Sequence, residues 1–309
     1  MALDALAPRL LRRTVAARLG AYIALTKPRI IELLLVTTVP TMVVAAHGMP
    51  SGWLILATLA GGALAAGGAN AINMYVDRDI DRVMHRTQKR PLVTGAVTPA
   101  AALTFACVLE VAAFAELWGL VNLLSAVLAL SATLFYVGVY TLWLKRRSTQ
   151  NIVIGGAAGA VPVLVGWSAV TGTLAWPPVV LFALIFLWTP PHFWALAIRY
   201  RDDYAAAHVP MLPVVASPRR IARNVFGYTV AMAASSIAFA PIAHMGITYL
   251  VVAIAAGAGY VAMAGRLWSQ AARGATLEGE AMRLFGYSIT YLTLLFAAMA
   301  VDVFVRRIH

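Results

Sequence analysis

The sequence predicts an all-α integral membrane protein of about nine transmembrane helices. Three observations lead there. Apolar residues make up 61% of the 309-residue chain and charged residues only 12%, with a mean hydropathy of +0.81; a water-facing domain carries about 25% charge. Apolar runs of about 20 residues, long enough to cross a bilayer, recur along the whole length. Basic residues gather in alternate loops. Cys107 is the single cysteine, which excludes a disulfide scaffold, and without a CxxCH segment covalent c-type haem attachment is excluded. Cys107 lies in an apolar run and reads as a small buried hydrophobe.

The expected spans, in order, are 24–46, 52–75, 97–117, 120–143, 152–172, 177–198, 225–244, 247–265 and 284–304. The first opens on Lys27-Pro28-Arg29. The second is diluted by Gly61, Gly62, Gly67 and Gly68, small residues that suit close helix packing inside a bundle. Residues 1–23 read as an Arg-rich cytoplasmic extension, preferred over a transit peptide, and residues 24–309 as one membrane domain. Trp53, Trp118, Trp143, Trp176, Trp194 and Trp268 stand near run ends, as an interfacial belt requires.

The net charge is +12, and 22 of the 24 Lys and Arg residues fall on one side of a nine-span chain. The opposite loops at 47–51, 118–119, 173–176 and 245–246 have none, and only Arg306 and Arg307 break the pattern. The basic excess is therefore topology signal, with the lipid bilayer as partner and no nucleic acid. It places the N-terminus and the long loops at 77–96, 199–224 and 266–283 in the cytoplasm, where aqueous chemistry is expected.

The densest polar cluster closes the second span: Asn70-Ala-Ile-Asn73-Met-Tyr-Val-Asp77-Arg-Asp79-Ile-Asp81-Arg82. Asn73, Asp77 and Asp81 are spaced i, i+4, i+8 and drift only about 40° around a helix, so they form one stripe that Asp79 leaves. Two carboxylates and an amide oxygen on one face suit Mg²⁺, which takes few protein oxygens and completes its shell with phosphate and water. The following Arg82, Arg86, Lys89 and Arg90 suit a diphosphate. The alternative reading is a solvated mixed-charge loop. An EF-hand fails, because its sixth position is Arg82 and its twelfth Gln88. A second cluster closes the sixth span: Trp188-Thr-Pro190-Pro191-His192-Phe193-Trp194, then Arg199, Arg201, Asp202, Asp203 and Tyr204. The two prolines are expected to end or kink that span. Both clusters reach the same membrane face and are expected to cap one cavity.

Together these residues resemble the UbiA superfamily of intramembrane prenyltransferases. Asn73-x-x-x-Asp77-x-x-x-Asp81 matches its first aspartate-rich motif. The segments Leu25-Thr-Lys27-Pro-Arg29, Arg90-Pro-Leu, Tyr140-Thr-Leu-Trp-Leu-Lys145-Arg-Arg, Gln150-Asn-Ile-Val-Ile-Gly-Gly, Trp188-Thr-Pro-Pro-His-Phe-Trp and Asp203-Tyr with Pro210-Met-Leu-Pro resemble its haem-modifying branch. The matching segments span residues 25–213. The superfamily's second motif is DxxxD, yet four residues beyond Asp202 and Asp203 stand Ala206 and Ala207, as in the haem branch.

The resemblance implies a helical bundle with a central cavity open to the cytoplasmic side, in a bacterial inner membrane in preference to a mitochondrial one. It implies transfer of the farnesyl group of farnesyl diphosphate to a vinyl group of protoheme IX, with addition of water and release of diphosphate. Mg²⁺ would be the cofactor, haem a substrate, and a haem A synthase-like enzyme a candidate partner. Asn73, Asp77, Asp81 and Asp203 would hold metal and diphosphate. Arg82, Lys89, Arg90 and Lys145 would neutralise diphosphate, with Arg199 a further substrate contact. Tyr136, Tyr140 and Phe193 would flank an allylic cation, Tyr140 serving with Asp77, Asp81 and Asp203 as the catalytic set. Lys27 and Arg29 would meet haem propionates or anchor the interface. His192 would ligate haem iron or, as the larger expectation, hydrogen-bond and pack. Glu32 reads as the i, i+3 partner of Arg29, while Glu110 and Asp302 carry no assigned role. Two rival readings stand. A transporter would need polar gating on both faces, and the outer face is bare. A prenyltransferase of an aromatic quinone precursor would not need the sixth-span segment around His192.

Overall fold

The computed structural model describes the backbone of residues 16–308, and their side chains except at 29–30, 32–35 and 308. The roles expected of Arg29 and Glu32, and most of the 1–23 extension, fall outside the described residues. Residues 16–26 form helix α1. The long helices are α2 (Pro28–Ala45), α3 (Gly52–Val76), α6 (Pro99–Leu120), α7 (Leu123–Leu134), α8 (Asn151–Thr171), α9 (Trp176–Arg199), α12 (Pro218–Ile242), α13 (Ile247–Ala272) and α14 (Glu278–Ile308). Between them lie the short helices α4 (Arg78–Val83), α5 (Pro91–Thr94), α10 (Arg201–Ala206) and α11 (Leu212–Val215). Beyond α7 a π-helical stretch, Phe135–Trp143, and a single 3₁₀ turn, Leu144–Arg146, carry that span to its end.

Helix starts follow local chemistry. The side chains of Ser51, Thr98, Asn122 and Ser217 accept hydrogen bonds from first-turn amides of α3, α6, α7 and α12, which satisfies donors the helix cannot. Proline opens α2, α6 and α12, where no amide is needed. The Ser217-Pro218 pair starts α12 seven residues before the apolar run, so Arg219, Arg220 and Arg223 stand on helix. The peptide ladder continues past the hydrocarbon edge because an intrahelical hydrogen bond serves as well in water.

Eight helices among the described residues are long and apolar enough to span a membrane, one fewer than expected. The difference is α2, whose apolar described stretch is Val36–Ala45. Its 18 residues rise about 27 Å. Its start lies beside the end of α3, where Asn70 Nδ2 donates to the Thr26 carbonyl at 3.0 Å. The loop after it lies against the Arg307 guanidinium, into which a Cβ on Gly48 would run. The end of α14 thus lies opposite the close of α3, where an odd number of crossings places Arg306 and Arg307.

The larger core joins α8, α9, α12, α13 and α14 and one buried strip of α2. A smaller one joins α3, α6, α7 and α8. The diluting glycines have a use there. A Cβ on Gly68 would collide with the Glu110 carboxyl, and one on Gly61 with Glu116 and Leu117. Glu110 also accepts from Thr133 Oγ1 at 3.2 Å, tying α6 to α7. Asp302 acquires a role as well: it accepts from the amides of Gly246 at 2.6 Å and Tyr249 at 3.1 Å, capping the start of α13 from α14.

Three expectations change. Cys107 is exposed on α6, since an apolar run in a membrane protein has a face for lipid as well as one for the core. Trp194 is fully buried, edge-on to Tyr228, whereas Trp53, Trp118, Trp143, Trp176 and Trp268 are exposed as a belt requires. Helix α9 neither ends nor breaks at Pro190-Pro191 but continues to Arg199. Prolines are tolerated in a span where neighbouring helices and hydroxyls re-satisfy the freed backbone.

Candidate functional site

Helix α3 stops at Val76 because Asp77 leaves the helical region (φ −86°, ψ 5°), and α4 starts at Arg78. The four-residue register survives the joint. The Asp77 amide donates to the Asn73 carbonyl and the Asp81 amide to the Asp77 carbonyl, both at 2.9 Å. Asn73, Asp77 and Asp81 therefore stay on one side and are buried. Asp79 turns out, its side chain 59% exposed.

Three cations converge on the stripe from three parts of the chain. Lys27 Nζ donates to Asn73 Oδ1 at 2.9 Å. Arg90 Nη1 pairs with Asp81 Oδ2 at 2.6 Å. Lys145 Nζ pairs with Asp77 Oδ2. Asn73 Nδ2 donates to the same Asp77 oxygen at 2.7 Å and to Thr141 Oγ1 at 3.2 Å. Asp77 Oδ1 is buried without a hydrogen bond, its neighbour in charge being Arg146 Nη2 at 3.7 Å. Arg146 is held away by a two-pronged grip on Asp79, at 2.6 and 2.7 Å. Those hydrogen bonds hold the Asp79 carboxyl down at about 2, so the pair persists as pH falls through the neutral range and weakens only as pH approaches that value.

Local backbone geometry places two of these cations. Lys27 is left-handed (φ 53°) at the joint of α1 and α2, a region that an L-residue rarely enters and that a following proline opposes. Lys145 follows the π-helical stretch, in which Thr141 Oγ1 donates five residues back to the Tyr136 carbonyl at 2.9 Å. Such wide turns are frequent at functional sites. Tyr136 and Tyr140 stack with centroids 5.3 Å apart, and Lys145 Nζ stands 6.0 Å from the Tyr140 centroid. Tyr140 rests on Gly155, where any Cβ would strike its ring. Asn151 Nδ2 holds the Lys145 carbonyl at 3.3 Å. A four-residue spacing of tyrosines reads as ordinary α-helix, so the π stretch has no sequence signal.

Asp203 is not brought to the stripe. Its two oxygens accept from the amides of His85 at 3.1 Å and Arg86 at 3.3 Å, and Arg86 Nη2 donates to the Tyr204 hydroxyl at 3.2 Å. Thr87 Oγ1 donates to the Asp81 carbonyl at 2.9 Å. The second acidic cluster thus fastens the loop that runs from Asp81 to Arg90. His192 is likewise apart, in the α9–α14 seam: Nδ1 meets Ser288 Oγ at 2.6 Å, and the ring stacks between Trp188 and Phe285. Hydrogen bonding and packing are what it does here. Phe193 is exposed beside it, and Arg82 and Lys89 are exposed on the 78–90 segment.

Two clefts open at this end of the bundle. One of about 440 Å³ is lined by Val76, Arg78, Asp79, Arg82, Thr141, Leu142 and Arg146. The other, of about 350 Å³, is lined by His85, Arg86, Arg199, Tyr200, Asp202 and Asp203. Among the described residues no three His, Cys, Asp or Glu side chains form a ready metal cage. The donor set still suits a hard cation shared with a phosphate: two buried carboxylates and an amide oxygen, with one carboxylate oxygen free of hydrogen bonds.

Known proteins resemble this chain at both levels. The sequence pattern described as the UbiA prenyltransferase family matches residues 34–286. A protein of Parafrankia sp. (strain EAN1pec) named protoheme IX farnesyltransferase is 59% identical over 292 residues, 94% of this chain and 92% of that one. In fold, the chain is similar to a digeranylgeranylglyceryl phosphate synthase, with a TM-score of 0.75 at 17% identity over 93% of this chain and 98% of the other. It is also similar to a UbiA homolog from Archaeoglobus fulgidus bound to GPP and Mg²⁺, with a TM-score of 0.66 at 18% identity over 90% and 99% of the two chains.

Proposed function

Because the chain belongs to the UbiA prenyltransferase family, we propose that it transfers the farnesyl group of farnesyl diphosphate to a vinyl group of protoheme IX, adding water and releasing diphosphate. The observation that carries the proposal is the buried Asn73/Asp77/Asp81 stripe, with an Asp77 oxygen that makes no hydrogen bond and three cations bonded along it. The acceptor follows the name of the 59% identical relative.

In this reading Asp77 Oδ1, Asp81 and Asn73 would hold Mg²⁺. When bound, the ion takes up charge on the departing diphosphate. Lys27, Arg90 and Lys145 rest on the stripe and turn to diphosphate oxygens when that substrate arrives, so the site exchanges one set of charge-assisted hydrogen bonds for another. The C1–O bond breaks and its electron pair leaves with diphosphate. The vinyl π pair forms the new bond to C1, and water captures the cation left on the former vinyl carbon and loses a proton. Tyr136 and Tyr140, stacked next to Lys145, offer ring faces to the allylic cation. The test is to incubate the purified protein with protoheme IX and farnesyl diphosphate, with Mg²⁺ or with a chelator, and to identify products by mass spectrometry. A hydroxyethylfarnesyl porphyrin formed only with Mg²⁺ supports the proposal; no such product with both substrates and Mg²⁺ overturns it.

Asp203 enters as the residue that positions the loop bearing Arg90. Asp203→Asn keeps an oxygen for those amides and is expected to hold turnover within about tenfold, whereas Asp203→Ala strands them and loses about a hundredfold. Equal losses in the two variants, together with a raised Mg²⁺ requirement in Asp203→Asn, would assign Asp203 to the metal instead.

The basic loops support a site on the cytoplasmic side, and the bacterial source of the similar proteins supports a bacterial inner membrane. Single cysteines at 88 and 148, in a Cys107→Ala background, are expected to resist a membrane-impermeant maleimide in intact cells and react after lysis. Labelling of either from outside intact cells would reverse the orientation.

A further inference from the structure

We propose that the cleft between α4 and the end of the π-helical span, walled by Arg78, Arg82 and Arg146, binds the two propionate carboxylates of the porphyrin acceptor. The inference rests on protoheme being that acceptor. The cleft holds about 440 Å³, within the range of small-molecule sites. Its three guanidinium groups differ in state. Arg146 is neutralised by Asp79. Arg78 is held only by neutral partners, its Nη1 on the Tyr75 carbonyl at 2.6 Å and its guanidinium 4.7 Å above the Tyr75 ring. Among the described residues, Arg78 and Arg82 have no acid at ion-pair distance. The cleft therefore presents two uncompensated cations, which matches an acceptor with two carboxylates.

Position strengthens the match. Two cleft residues also touch the stripe: Thr141 accepts from Asn73, and Arg146 stands 3.7 Å from Asp77. An acceptor held here lies one side chain from the diphosphate site. Leu142 lines the cleft and is exposed, which gives a macrocycle an apolar edge facing the bilayer. Diphosphate has its own cations in Lys27, Arg90 and Lys145 on the buried side, so Arg82, expected from sequence to serve diphosphate, is assigned to the acceptor.

The test compares protoheme IX with its dimethyl ester in the wild type and in the Arg78→Gln/Arg82→Gln double variant, in phosphatidylcholine vesicles with or without phosphatidylglycerol. The wild type is expected to show a KM about tenfold lower for the diacid than for the ester. The double variant should lose that preference, keep its ester turnover, and keep its KM for farnesyl diphosphate. The size-exclusion profile reports whether the double variant is folded; if it is not, Arg82→Gln alone carries the comparison. Equal losses on both porphyrins, a raised KM for farnesyl diphosphate, or a defect seen only with phosphatidylglycerol overturn the proposal, the last by assigning the cleft to lipid phosphate. A wild type that turns over both porphyrins without preference defeats this inference alone. A wild type that turns over neither defeats the acceptor assignment beneath it.

Discussion

Asp77→Asn is expected to lower farnesyl transfer by about a thousandfold or more while the protein remains folded in the membrane. Asparagine preserves the size of the side chain and an oxygen for Lys145 and Asn73. It removes the charge, and with it the hard-cation donor that Asp77 Oδ1 supplies as a buried oxygen free of hydrogen bonds. The contrast is Asp79→Ala, two residues away on the same turn, which should cost about threefold. Asp79 is mostly exposed and its partner is Arg146. The modest loss reflects the release of Arg146, 3.7 Å from Asp77 Oδ1. Turnover of each variant at saturating substrates, with size-exclusion profiles as the check on folding, decides the matter. Asp79→Ala as damaged as Asp77→Asn would contradict the buried stripe as the seat of the reaction.

Lys145→Met is expected to reduce turnover by about a hundredfold, with the KM for protoheme unchanged. Methionine keeps an unbranched apolar stem one atom shorter than lysine and leaves the π-helical span its packing. What disappears is the ammonium that waits on Asp77 and then meets the departing diphosphate. Asp77 keeps a hydrogen bond from Asn73 at 2.7 Å, which limits the destabilisation that breaking a buried pair brings; thermal unfolding of the variant measures it. The two residues act as a unit, so the Asp77→Asn/Lys145→Met double variant should be scarcely slower than Asp77→Asn alone. Losses that multiply would mean that the two serve separate steps.

Both variants test an arrangement that was only partly legible in the residues. Asn73, Asp77 and Asp81 can be read as one face because helical periodicity is local and the i, i+4 amide bonds persist across the break at Asp77. The partners of that face cannot. Lys27 comes from 46 residues earlier, and Lys145 from 68 residues later than the atoms they bind, and no spacing rule relates them. Asp203 looks like a metal ligand as long as only its neighbours in sequence are considered; the fold gives both of its oxygens to backbone amides 117 and 118 residues away.

The sequence by itself determined that this chain lives in a membrane, where nearly all its helices run, which loops share a face, and which carboxylates line up. Each follows from composition or from contacts within a few residues, because hydrocarbon solvent forces every backbone amide into its own helix and so makes spans a property of short windows. The tertiary structure alone decided that Lys145 is delivered by a π-helical turn resting on Gly155, that Pro190 and Pro191 leave α9 whole, that Asp302 caps α13, that Cys107 faces outward, and that Asp77 keeps one oxygen without a hydrogen bond. Those outcomes depend on which helices lie side by side. Helix–helix packing in lipid is set by close fit and a few polar contacts between distant segments, and that information is distributed over the whole bundle.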